Sequence, residues 1–282
     1  MTDGLADASA DKVIVIKSGT HSRWLGLADL GTYGSLLRYL VGRDIKGRYR
    51  PTSFGHYWMI LRPVLEMLIY VIVFGYVFGI TSQPIPYPLH VYSGIVLFVF
   101  FATSLSTAAN TLTGNRHLLN KIYFPRLVIP LVNITVNLVD LGAASTVVLG
   151  LMLFYAVPPA LNILALPLVL ALLLSLTFGL GLCVAALSVR HSDTSIWLPL
   201  ATRAMLYASP VTYPVSIVPE AARFFYMFNP VAVIVEMFRW SLFGTPLPHA
   251  LHLAAAVVLS LAALLLGLIW FTRVEREMID FL

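Results

Sequence analysis

The sequence predicts an all-α integral membrane protein with six transmembrane helices, and three observations lead there. Of the 282 residues, 59% are hydrophobic and only 11% are charged, whereas a soluble domain carries about 25% charge. The mean hydropathy is +0.86. Apolar stretches close to the ~20 residues that cross a bilayer as a helix recur at about 63–81, 89–112, 127–157, 162–189, 195–214 and 250–271. So few charges do not cover the surface of a water-soluble globule, and so apolar a chain is not disordered.

The elements follow in order. Residues 1–32 carry Asp3, Asp7, Asp11, Lys12 and Lys17 without a long apolar run, so they are no signal peptide and form a cytoplasmic extension. From Tyr33 to Arg50 the chain is amphipathic. Leu36, Leu37, Leu40, Val41, Ile45 and Tyr49 recur at three- and four-residue steps, with Arg38, Arg43, Lys46 and Arg50 opposite. Such a helix lies in the membrane interface. Residues 81–88 are a proline-rich outer turn between the first two spans, and 114–126 and 190–194 are basic inner loops.

A seventh apolar stretch, Phe224 to Phe243, contains Pro230, Glu236 and Arg239. Proline inside a helix removes a hydrogen bond and clashes with the preceding turn, so this stretch reads as two half-helices. The basic residues decide its topology. With six spans, all 18 Lys and Arg except Arg223 and Arg239 fall on the side of the two termini, which the positive-inside rule makes cytoplasmic. A seventh span would send Arg273 and Arg276 outward. The reading is therefore six spans with a re-entrant outer hairpin at about 216–243. The net charge of +5 reports orientation in the membrane, not nucleic-acid binding.

Ionisable groups within spans are costly and mark function or helix pairing. Glu66 lies in the first span. Asn133, Asn137 and Asp140 share one face of the third, either as the wall of a hydrated path or as hydrogen bonds between helices. Arg203 in the fifth span pairs with Asp140 or Glu66 or lines a path. Glu236 and Arg239 read as a simple ion pair one turn apart. His249 and His252 stand one turn apart without a third ligand, so no metal site is expected. The single cysteine permits no intrachain disulfide. No lysine follows a glycine, so no phosphate-cradling Gly-Lys-Ser/Thr loop exists, and there is no Gly-x-Ser-x-Gly elbow. The chain is not expected to be an enzyme.

Four motifs, in order, carry a resemblance. These are Arg43-Asp44-Ile45-Lys46-Gly47-Arg48-Tyr49 with Ser53-Phe54-Gly55-His56-Tyr57-Trp58; Gly114 to Lys121 followed by Phe124-Pro125-Arg126; Ser209-Pro210-Val211; and Asn229-Pro230 leading to Phe238-Arg239. Together they resemble the type-2 ABC exporter permeases, in the branch that exports O-antigen, capsular polysaccharide or teichoic acid. The resemblance implies a permease domain over 33–282, working as a homodimer in a bacterial inner membrane with both termini cytoplasmic. It implies two copies of a separate ABC ATPase that bind ATP and Mg, so that no cofactor sits in this chain. The cargo would be a lipid-linked polysaccharide; a small drug or a membrane lipid is the alternative, and a membrane-embedded transferase a more distant one. The resemblance further implies that Asn115, Arg116, His117, Leu118, Leu119, Asn120 and Lys121 belong to a coupling helix at about 115–123 that docks on the ATPase. It places Arg43, Asp44, Lys46, Arg48 and Tyr49 at the interfacial inlet. In this branch the first and fifth spans flank the path, and sugar rings stack on aromatic planes. Tyr70, Phe74, Tyr76, Phe78, Tyr207 and Tyr213, with Asp140 and Arg203, are then the candidate path residues.

Overall fold

The computed structural model describes residues 33–50, 53–114, 124–191 and 193–277. The extension 1–32 and the expected coupling segment 115–123 lie outside the described residues. Everything assigned is helical or irregular among the described residues, as the composition predicts. Helix α1 is Gly34–Tyr49. A turn of 3-10 helix, Gly55–Tyr57, leads into α2, Trp58–Tyr70, which continues through wider π-helical turns to Val77. Then come α3, Tyr87–Ala109, and α4, Val128–Phe154. Helix α5 is Leu166–Arg190 behind a short 3-10 lead, and α6 is Thr194–Tyr207. Two short helices, α7 (Glu220–Tyr226) and α8 (Pro230–Phe243), precede the last, α9, Ala250–Glu277.

Five of these segments are long and apolar enough to cross a bilayer: Gly55–Val77, Tyr87–Ala109, Val128–Phe154, Leu161–Arg190 and Ala250–Glu275. The chain is a multi-pass membrane protein. The fifth expected span differs from its sequence reading. Helix α6 has 14 residues, about 21 Å at 1.5 Å per residue, short of the ~30 Å hydrocarbon core. Residues 208–214 continue it as irregular backbone, because Pro210 and Pro214 cannot supply the N–H groups a helix needs. Backbone of this kind is tolerated at membrane depth only where protein satisfies it. Ser209, Val211 and Thr212 are accordingly fully buried.

The hairpin bends where proline demands. Helices α7 and α8 meet at 96°. Asn229 caps α8, its side-chain oxygen accepting from the Val231 N–H at 3.0 Å. Pro230 sits at the first helical position, where its missing N–H costs nothing. At the other end Gly244, with φ +69°, closes α8 in the left-handed conformation that favours glycine.

Helix α3 is the centre of the bundle, with almost every residue from Leu89 to Phe101 buried. Around it pack α2, α4, α5, α6 and α8. The termini of α4 and α9 are tied at one end, where Arg126 donates through its backbone N–H to the Glu275 carboxylate at 3.2 Å and through its guanidinium to the Glu275 carbonyl at 2.9 Å. The C-terminal halves of α5 and α9, which carry Arg190 and Arg273, pack at this same end. The α7–α8 hairpin occupies the far end. The apolar stripe of α1 is seated on protein: Leu36, Leu37, Leu40, Val41 and Ile45 pack on Phe124, Val128, Ile129, Val132 and Val136 at the start of α4.

Candidate functional site

Three constructions position the chemistry. The first is a groove of about 540 Å³ between α2, α3 and α6. Arg62, Glu66 and Tyr70 stand at four-residue steps on α2, and so present one face to it; Thr202, Arg203 and Tyr207 on α6 look back across it. Arg62 and Glu66 pair at 3.1 Å. Beyond Tyr70 the same face turns aromatic: the Tyr70 and Phe74 rings stack at 6.0 Å and Phe74 meets Phe78 at 5.8 Å. Outside the groove the Tyr213 hydroxyl donates to the Tyr207 carbonyl, and the Tyr226 hydroxyl to that of Tyr213 at 3.1 Å. Tyr70, Phe98 and Tyr207 are the aromatic residues that line the groove, and Phe74, Phe78 and Tyr213 lie outside its lining. Of the residues singled out from the sequence, Tyr70, Arg203 and Tyr207 meet there. Tyr76 does not join the ladder; it points outward, 89% exposed.

The second construction holds Asp140. It lines an adjoining cavity of about 420 Å³ with Arg48, Tyr49, Trp58, Arg62 and Asn137, and Arg62 lines the groove as well. Its partner is Arg48, at 2.6 Å, and neither Arg203 nor Glu66. The same guanidinium donates to Asn137 at 2.9 Å, and the Asn137 amide donates onward to Ser104 at 3.0 Å and Thr107 at 3.2 Å. Asn133 donates to Thr111. Asn133 and Asn137 therefore join α4 to α3 and its continuation, and Arg48 secures α1 to α4. Tyr49 stands beside them; burial first, then the Asp140 carboxylate, pushes its hydroxyl up to about 12, so it stays a neutral phenol at physiological pH. Of the five inlet candidates, Arg48 and Tyr49 turn inward, while Arg43 and Lys46 line a shallow basic depression with Arg38 and Arg50. Asp44 pairs with Arg43 at 2.8 Å.

A measurable consequence concerns Asp140→Asn. It leaves the Arg48 cation without its counter-charge. Removing one partner of a fully buried pair costs ~3–5 kcal/mol; with both side chains about a quarter exposed, the loss here is on the order of 1–3 kcal/mol. The variant is expected to melt lower in detergent, with the α1–α4 contact opening first in hydrogen exchange. Unchanged protection of α1 would contradict the assignment.

The third construction was not legible beforehand. Arg239 is fully buried, and each of its five N–H donors is used. Nε donates to Ser93 at 3.3 Å, Nη1 to Pro210 O at 2.7 Å and Glu236 at 2.6 Å, and Nη2 to His90 O at 2.9 Å and Val211 O at 3.1 Å. What the sequence presented as an ion pair is a staple joining α8, α3 and the irregular backbone after α6. Gly94 makes the approach possible: a Cβ there would lie 2.7 Å from the guanidinium and 2.8 Å from the Val211 oxygen. Two signals could have found it, a lone arginine in an apolar stretch and a Ser-Pro-Val run that leaves carbonyls without helical partners. His249 and His252 have their rings 6.0 Å apart, and among the described residues no three His, Cys, Asp or Glu side chains converge as metal ligands.

A helical bundle with five segments able to cross a bilayer, a partly charged groove between α2, α3 and α6 and a bent hairpin at one end fits the class of membrane permeases. The sequence matches the ABC-2 type transporter family over residues 35–243, and the chain belongs to that family. It is similar to an O-antigen export system permease protein of Myxococcus xanthus, with 31% identity over 239 residues, 84% of this chain and 91% of that one. A Klebsiella pneumoniae protein of the same description is 25% identical over 90% of this chain and 97% of its own length. The polysialic acid transport protein KpsM of Escherichia coli is 23% identical over 84% of this chain and 92% of its own.

Proposed function

We propose that this chain is the membrane-spanning permease subunit of an exporter that carries a lipid-linked polysaccharide of the O-antigen or capsule type across the bacterial inner membrane. Nearly end-to-end likeness to permeases named for O-antigen and polysialic acid supports the cargo class. The observation that carries it within this chain is the α2–α6 groove. Glycan hydroxyls require polar partners, which Arg62, Glu66, Thr202 and Arg203 offer, and sugar rings have apolar faces that lie against aromatic planes such as Tyr70 and Tyr207.

Energy comes from two copies of a separate ATPase that bind ATP with Mg. They dock on residues 115–123, and their closure moves α4, which begins at Val128, four intervening residues beyond that segment. Two copies of the permease enclose the path, each with its termini in the cytoplasm. The basic end then faces the ATPase, and the α7–α8 hairpin stands at the outer exit.

The test is complementation of a strain lacking its own O-antigen permease, with surface glycan measured on gels and by antibody. The chain with its cognate ATPase is expected to restore export. Tyr70→Ala and Tyr207→Ala each remove one ring of the groove, worth about 0.5–1.5 kcal/mol, so export is expected to fall about two- to tenfold with the protein level unchanged. Export of dyes or drugs without any surface glycan would favour the small-molecule alternative instead.

A further inference from the structure

The groove between α2, α3 and α6 holds a charge that the protein around it does not balance. Its floor is the stretch of α3 from Ile95 to Ser106, inside a segment, Tyr87–Ala109, that is long and apolar enough to cross the bilayer. The groove therefore lies at membrane depth. Two cations and one acid line it: Arg62, Arg203 and Glu66. Arg62 and Glu66 pair with each other at 3.1 Å. The positive charge left over is that of Arg203.

Arg203 is exposed to the groove. Among the described residues its side chain makes no ion pair and no hydrogen bond. The arginines seated within the bundle behave differently: Arg48 is paired with Asp140 and Arg239 with Glu236. An ionised side chain at membrane depth is costly, and where one is kept it serves a pathway or a partner.

The chemistry of that partner follows from the donors. A guanidinium offers a planar fork of N–H groups that fits a carboxylate or a phosphate with two parallel bonds. Bonds between charged partners are roughly twice as strong as those to neutral oxygen, so a neutral sugar hydroxyl is the poorer match. Ser106, exposed on α3 along the same groove, adds a hydroxyl donor. Tyr70 and Tyr207 supply aromatic planes for the apolar face of a ring. The groove thus has the parts to hold a sugar that bears an acid group.

An anion could ride on the sugars or on the phosphate that joins a glycan to its lipid. The linking phosphate passes Arg203 once, whereas every repeat of the polymer passes it in turn. Only an anion on the repeats balances the charge throughout transport.

We propose that Arg203 makes this groove selective for an acidic glycan, one whose sugars carry carboxylate or phosphate groups, and that Glu66 tempers the preference by holding Arg62. The proposal rests on the exporter reading above and narrows its cargo.

The test uses the full-length chain in lipid nanodiscs with two probes, methyl β-D-glucuronide and methyl β-D-glucopyranoside, which differ only in the carboxylate. Titration by saturation-transfer NMR is expected to show the glucuronide bound about tenfold more tightly. Arg203→Gln keeps a hydrogen-bonding side chain without the charge, and is expected to bring that ratio down to about one. Glu66→Gln removes the only acid of the lining and frees Arg62, so glucuronide affinity is expected to rise about threefold, a gain that misfolding does not produce. Equal binding of the two probes by the wild-type chain, or a ratio indifferent to Arg203→Gln, overturns the proposal.

Export distinguishes the two sources of the anion. In the complementation assay, two glycans are built on the same lipid carrier, one with a uronic acid in each repeat and one neutral. Arg203→Gln is expected to lower surface display of the acidic glycan about tenfold and that of the neutral one at most about twofold. Equal loss of both places the anion on the carrier phosphate and overturns the assignment to the sugars. A wild-type chain that exports glycan but prefers neither probe sinks the selectivity alone. Acid-selective binding with export of neither glycan sinks the exporter reading and leaves the site standing.

Discussion

Arg239→Ala is expected to be the most damaging single substitution in this chain, with loss of the folded far end and of any transport that depends on it. The side chain is fully buried and bonded to five acceptors on three separate segments. Alanine would orphan the carbonyls of Pro210 and Val211, take one bond from the His90 carbonyl, which still accepts from the Ser93 hydroxyl at 2.8 Å, and strand the Glu236 carboxylate, which is only 15% exposed. Breaking a buried pair costs ~3–5 kcal/mol, and each orphaned acceptor adds ~1–3 kcal/mol, against a total stability of only ~5–15 kcal/mol.

The conservative variant is the more telling. Arg239→Lys keeps the charge but has three donors on a point ammonium in place of five in a planar fork, so at least two of the five acceptors lose their bond. It is expected to express at reduced level, with early melting and protease cleavage in 208–219. Adding Glu236→Gln to Arg239→Lys should bring little further loss, because the two residues share one interaction. A lysine variant as stable as the wild type would show that the staple carries no weight.

The second large effect lies where α5 crosses α9. Gly179 and Gly267 face each other so closely that a Cβ on Gly179 would fall 2.3 Å from the Ala263 carbonyl carbon and the Leu264 nitrogen, and a Cβ on Gly267 only 2.2 Å from the Gly179 oxygen. These are backbone atoms, which move only if a whole helix moves. In an open helix Gly→Ala stabilises by ~0.5–1 kcal/mol; here the sign reverses. Gly179→Ala and Gly267→Ala are expected to destabilise by about 1–3 kcal/mol through overpacking, and Gly267→Val by more, with α5 and α9 forced apart.

Helix α4 provides the control. A Cβ on Gly142 or Gly150 would meet nothing within 4 Å, so alanine there should be neutral or mildly stabilising. Melting curves of the four alanine variants in one detergent check the contrast. Equal behaviour at all four positions would refute it.

Particular residues show how far the sequence could be read. The spans were legible because the bilayer demands length and apolarity in one uninterrupted stretch, a one-dimensional requirement; Tyr87–Ala109 and Val128–Phe154 lie within three residues of their expected bounds. The hairpin was legible because Pro230 forbids a continuous helix and Asn229 before it caps one. The fifth span was overread, since hydropathy counts Ala208 to Tyr213 as apolar and says nothing of a backbone held out of helix by side chains distant in sequence. The four-residue spacing on α2 made Tyr70 and Phe74 readable as neighbours, because helical periodicity alone sets it.

Pairing was a different matter. Asp140 had several cations to choose from, and only the seating of α1 on α4 brings Arg48 to it, from 92 positions away. Glu236 and Arg239 looked self-sufficient at i, i+3, yet four of the five bonds of that guanidinium go to other segments.

By itself, then, the sequence determined that this protein crosses a membrane several times and where most of the crossings lie, since those properties are sums over local stretches. Tertiary structure alone decided which polar groups meet and which glycines must stay glycine. The reason is physical: a hydrophobic span is recognised by its length, whereas a hydrogen bond exists only where two atoms come within about 3 Å.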